Sequence, residues 1–80
     1  MRSKEAIRLR ILQLCGERDI TINALARMSG ITQSTINNIT CGRNNSTTIA
    51  TLLKICDGLE MPLPEFFNCE LFQDLEQEVF

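Results

Sequence analysis

From Ser3 to Glu17 the apolar residues Ile7, Ile11, Leu14 and Cys15 recur at helical spacing, which predicts a first helix with one buried face. Ser3 is placed to cap it, Glu5 suits the positive end of the helix dipole, and Gly16 weakens its end. Arg8 and Arg10 fall away from the apolar stripe, where solvent or phosphate would meet them. A short second helix is predicted over Ile22–Met28, capped by Thr21, with Leu25 and Ala26 turned inward. Ser29-Gly30 stops it, and Gly30 supplies the positive φ of a tight turn. Ile31 re-enters the core, and Thr32 caps a third helix through Gln33–Ile39 that ends near Cys41-Gly42. After a polar connector at 43–47, Thr48 caps a fourth. Its stripe of Ile49, Leu52, Leu53 and Cys56, with Leu59 a turn on, is the strongest periodic signal in the chain. Met61-Pro62-Leu63-Pro64 breaks it, and Glu65-Phe66-Phe67 opens a short fifth helix.

The third segment differs from the others. Only Ile36 and Ile39 face inward, and the rest of the body is Gln33, Ser34, Thr35, Asn37, Asn38 and Thr40, without a charge. Ser, Thr and Asn prefer caps and turns, so this helix must be held by its neighbours. Beyond Phe67, Leu71, Leu75 and Val79 recur at every fourth position in an acidic setting. Three readings stand for 68–80: a packing or dimerising helix, an acidic arm that repels DNA, or a disordered tail. The first is preferred.

Composition narrows the chemistry. The chain has 80 residues, 44% hydrophobic and 22% charged, enough for one small all-helical domain over 1–67 with the acidic tail behind it. Histidine is absent, which removes the commonest general base and zinc ligand. No nucleophile stands beside a base and there is no Gly-rich phosphate loop, so an enzyme is not expected. Cys15, Cys41, Cys56 and Cys69 form no Cys-x-x-Cys and match no ribbon or finger spacing, so no metal, cofactor or disulfide framework is expected. Cys41 reads as a small residue filling a helix end. Trp and Tyr are missing and the four Phe lie late in the chain, which disfavours single-strand binding by stacking. No apolar run is long enough for a membrane span and no signal-peptide core follows Met1, so a cytoplasmic protein is expected.

The net charge of −2 hides a division. Residues 1–56 hold all 8 basic side chains against Glu5, Glu17 and Asp19. Residues 57–80 hold Asp57, Glu60, Glu65, Glu70, Asp74, Glu76 and Glu78 and no base. A basic body with an acidic tail suits polyanion binding.

Two short helices joined by a Gly-containing turn, the second polar outside, describe a helix-turn-helix. The stretch Leu25-Ala26-Arg27-Met28-Ser29-Gly30-Ile31-Thr32-Gln33-Ser34-Thr35-Ile36, then Cys41-Gly42-Arg43, Thr48–Leu59 and Pro64-Glu65-Phe66-Phe67, resembles the phage-repressor (Cro and lambda repressor) type of helix-turn-helix domain, also called the xenobiotic-response-element family. The resemblance runs from about Ala6 to Phe67. It implies a compact five-helix, lambda-repressor-like bundle with its third helix in the DNA major groove. The base readers it implies are Gln33, Ser34 and Asn38, with Asn37 and Thr35 as secondary candidates. Gln and Asn suit adenine, and with no Arg on this helix the half-site is expected to lean toward A·T. The implied phosphate contacts are Thr21 and Thr32 at helix starts and Arg43, Asn44 and Asn45 after the third helix.

Departures from the family pattern carry expectations too. Cys15 and Thr40 stand where some members place an ion pair, and Thr47 stands where a loop proline is frequent. Few bases flank the third helix, so the salt dependence should be shallow, about three to five phosphates at roughly −0.9 each. The function expected is a sequence-specific transcriptional regulator, a repressor of prokaryotic, phage or mobile-element origin, working on double-stranded DNA as a homodimer. No small-molecule effector is expected at this length. The alternative is an antitoxin or adaptor that uses the same fold to hold a protein partner, with Phe66, Phe67, Phe72 and the acidic tail as its surface.

Overall fold

The computed structural model describes residues 2–41, 47–73 and 75. Five α-helices follow one another: α1 (Ser3–Arg18), α2 (Ile22–Ser29), α3 (Gln33–Thr40), α4 (Ile49–Gly58) and α5 (Leu63–Phe67), with a 3₁₀ turn at Glu70–Phe72. The starts of α2, α3 and α4 are set by side chains. Thr21 accepts from the N–H of Ala24, Thr32 from that of Thr35 and Thr48 from that of Thr51, each satisfying a first-turn donor that has no partner in its own helix. The core is one cluster built from every helix: Ile7, Ile11, Leu14, Leu25, Ala26, Ile36, Ile39, Leu52, Ile55, Cys56, Leu59 and Phe66 among others. Among the described residues there is no strand, and no helix is long and apolar enough to cross a membrane.

Four local expectations are corrected. Ser3 is the first helical residue and makes no cap; Arg2 precedes the helix in extended backbone. The first helix runs one residue past the expected Glu17, to Arg18, and closes on Asp19 at φ 54°. The fourth helix is rotated relative to its expected stripe: Leu52, Ile55, Cys56 and Leu59 are buried, whereas Ile49 and Leu53 are 57% and 50% exposed. The cause is α2. A Cβ on Gly58 would come within 2.5 Å of Ser29 Oγ and 3.0 Å of the Met28 carbonyl carbon, so this glycine lets α2 and α4 touch and turns the Leu52/Ile55 face inward. The left-handed residue after α4 is then Glu60, at φ 57°, whereas Gly30 fills the same conformation after α2 at φ 69°.

The fourth correction concerns Arg10, read from the sequence as a surface or phosphate residue. It is only 8% exposed. Its Nε donates to the Phe66 carbonyl at 2.7 Å, its Nη2 to the Glu65 carbonyl at 3.0 Å and its Nη1 to Gln13 Oε1 at 2.8 Å. Carbonyls at a helix C-terminus lack partners within the helix, and the planar guanidinium offers several donors in a fixed fork. Arg10 therefore hooks the end of α5 onto α1. Helix α5 itself begins at Leu63, with Pro62 before it and Pro64 in its first turn, where a missing N–H is harmless.

Candidate nucleic-acid interface

The tight turn between α2 and α3 sets the site. Gly30 in the left-handed region sends its N–H to the Arg27 carbonyl, and the Ile31 N–H returns to the Ala26 carbonyl. Ala26 is 2% exposed and leaves room for the two helices to close. Helix α3 then rests on the core through Ile36 and Ile39 alone, 0% and 4% exposed. Its remaining side chains are the uncharged amides and hydroxyls of the sequence.

Their environments differ. Gln33, Ser34 and Asn37 are exposed and Asn38 is half-buried. Thr32 is exposed and Thr35 half-buried, and their hydroxyls share a hydrogen bond of 2.8 Å, so the Thr35 oxygen already serves the cap. Thr40 turns its hydroxyl back to the Ile36 carbonyl at 3.0 Å. At the start of α2, Thr21 is exposed and occupied by the cap on Ala24 at 3.0 Å. Arg43, Asn44 and Asn45, expected on phosphate, lie outside the described residues.

One residue escaped the sequence reading. Asn23, in the first turn of α2, accepts at Oδ1 from Nε2 of Gln33 across the turn. The same Nε2 donates to Asn37 Oδ1 at 3.4 Å, one turn further along α3. The signal available in the sequence was an amide next to a helix start, which is common in solvated positions.

The thiols and rings divide between core and surface. Burial pushes the Cys15 thiol above its ordinary pKa, opposed by the nearby Arg18 charge, and burial pushes Cys56 up likewise, so both stay protonated. Cys41, at the end of α3, is exposed. Phe66, Phe67 and Phe72 pack ring on ring, with centroids 4.9–6.0 Å apart. Phe66 is fully buried, and the other two rings lie against the core. A surface built on these rings for a protein partner is thus largely spent on folding. Among the described residues no group of three His, Cys, Asp or Glu is placed to hold a metal.

The sequence pattern of the Cro/C1-type HTH DNA-binding domain matches residues 10–71. The chain belongs to that family. Its Cro/C1-type fold recurs in the crystal structure of the prophage Lp1 protein 11, which superposes with a TM-score of 0.81 at 29% identity. That similarity covers 94% of this chain and 100% of the other. No curated protein matches the sequence. In Cro/C1-type terms α2 and α3 are the helix-turn-helix, and the chain is a DNA-binding regulator by family.

Proposed function

We propose that this chain is a sequence-specific transcriptional repressor that reads operator DNA in the major groove with α3. The observation carrying this reading is the exposed face of α3, uncharged and made of amides and hydroxyls. It is held in place by only Ile36 and Ile39 and by the Gly30 turn. Such a face is poor for helix stability and well suited to the donors and acceptors of base edges. Gln33, Ser34 and Asn38 are the base readers, with Asn37 and Thr35 beside them. Thr35 acts through its methyl group, because its hydroxyl is engaged with Thr32. Thr21, Thr32, Arg43, Asn44 and Asn45 meet phosphate and fix the register. The structurally similar protein comes from a prophage, which supports a phage or mobile-element origin here.

One α3 covers only a half-site, so the repressor binds as a homodimer to half-sites about one helical turn apart, in the cytoplasm. No effector or cofactor takes part. The burial of Phe66 removes much of the surface that a partner-holding adaptor would need, which favours the DNA reading over that alternative.

The test is selection of fragmented genomic DNA on the purified protein, with Gln33→Ala/Asn38→Ala in parallel. An inverted repeat enriched by the wild type and lost in the double variant is the expected result. A wild-type protein that enriches nothing at low salt overturns the proposal.

A further inference from the structure

We infer that the groove between α1 and residues 68–71 takes the acidic tail of a second copy of this chain, so that two copies exchange tails about a two-fold axis. The inference rests on the homodimer reading above and names its interface. The groove has a volume of about 540 Å³. Leu9, Arg10 and Gln13 of α1 line one side, and Asn68 to Leu71 line the other. Leu9 and Leu71 are half-buried and give it an apolar component.

Its polar groups favour an anion. Arg10 is only 8% exposed, and its three bonds go to neutral acceptors: the Phe66 and Glu65 carbonyls and Gln13 Oε1. A guanidinium has five N–H groups, so one on each terminal nitrogen is left over. Gln13 Oε1 accepts from Arg10 and, at 3.5 Å, from the Cys69 thiol. The Gln13 Nε2 hydrogens bond to no described residue and add two more donors. A cation this deeply buried, with neutral partners among the described residues, gains most from a carboxylate, which a guanidinium grips with two N–H groups at once. The acid on the groove wall, Glu70, is exposed and keeps its charge in solvent.

The chain carries the complement in its own sequence. Acids and apolar residues mingle in Asp74-Leu75-Glu76-Gln77-Glu78-Val79, within a segment that has no base. Asp74 and residues 76–80 lie outside the described residues. Leu71 lines the groove, whereas Leu75, four positions on, does not and is 39% exposed. The chain has left its own groove by Leu75, which points to the tail of a second copy as the occupant. A tail carboxylate meets Arg10 and Gln13, while Leu75 and Val79 meet Leu9 and Leu71. Exchange makes this contact twice and closes the pair.

The experiment uses the whole chain, because Arg10 also secures α5 and its loss would confuse folding with assembly. Sedimentation over a concentration series compares wild type with Leu9→Gln, Glu70→Gln and the triple variant Asp74→Asn/Glu76→Gln/Glu78→Gln, each checked by thermal melt. Leu9→Gln and the triple variant are expected to weaken the dimer by about tenfold or more with melts near wild type. Glu70→Gln removes a like charge and is expected to tighten it by about twofold. A second arm places a thiol in the tail by Leu75→Cys or Val79→Cys, with Cys41→Ser as background. Mild oxidation is expected to give a disulfide-linked dimer that disappears when Cys69→Ser is added.

A dimer that none of these substitutions weakens overturns the inference. So does a cross-link to Cys69 formed within one chain, which would put the tail in its own groove. In either case two copies on one operator leave the homodimer reading standing with its interface elsewhere. A single copy bound per operator is the separate sign that the homodimer reading is wrong.

Discussion

Helices α3 and α4 begin with the same device. In each, a threonine oxygen accepts the N–H three residues on, at 3.1 Å for Thr32–Thr35 and 3.2 Å for Thr48–Thr51, and the two hydroxyls of the pair are also bonded. Past the cap they diverge. Helix α4 buries Leu52, Ile55, Cys56 and Gly58, and its glycine meets α2 backbone to side chain. Helix α3 buries Ile36 and Ile39 and leaves Gln33, Ser34 and Asn37 exposed. The cap therefore says where a helix starts and nothing about its use. The use is set by what the body fails to bury.

The largest expected effect tests the rotation of α4. Leu52→Ala should cost about 2–5 kcal/mol in urea unfolding, because it empties a core site. Leu53→Ala next to it should stay within about 0.5 kcal/mol. A larger loss at Leu53 than at Leu52 would mean that α4 faces the other way. Next comes the α2–α4 contact. Gly58→Ala should destabilise by about 1–3 kcal/mol despite the better helix propensity of alanine, since the new methyl meets Ser29 Oγ and the Met28 backbone. A thermal melt at or above that of the wild type would show that the helices part easily.

The shared cap offers a matched pair. Thr32→Ala and Thr48→Ala should each lose about 1 kcal/mol of stability, and only Thr32→Ala should also change operator affinity at fixed salt. If both variants bind alike, the two helix starts contribute equally to DNA binding and the contrast fails. A smaller gain is expected at the end of α4. Glu60 holds φ 57° with a side chain, so Glu60→Gly should raise stability by roughly 0.5–1 kcal/mol in denaturant titration. The smallest effect sharpens the account of α3. Asn37→Ala should stabilise the fold by about 0.5 kcal/mol, because alanine is the better helix former, while it alters base preference. A variant that gains stability while its base preference stays unchanged would argue that Asn37 has no reading role.

The helix order, the caps at Thr21, Thr32 and Thr48 and the Gly30 turn were legible in the sequence because each is a local effect of a few neighbouring residues. So was the composition of α3. Other features depend on what meets what in three dimensions. The stripe on α4 was ambiguous because Ile49 and Leu53 lie on the edge of the same periodic pattern, and contact between Gly58 and Ser29 decides which edge is buried. Arg10 looked like a surface cation because its partners, the Glu65 and Phe66 carbonyls, have no side-chain signature. Asn23 was passed over because its partner Gln33 lies 10 residues away, across a turn whose geometry alone brings them together.

The Arg10 hook also has a consequence for sequence drift. It grips main-chain oxygens, which every amino acid supplies, so positions 65 and 66 are free of it while position 10 is bound by it. A contact written on one side only leaves no correlated pair of substitutions behind. Methods that infer proximity from paired changes would be blind to the joint between α1 and α5, however many relatives were compared. The fold would be held there by a constraint that evolution records at a single site.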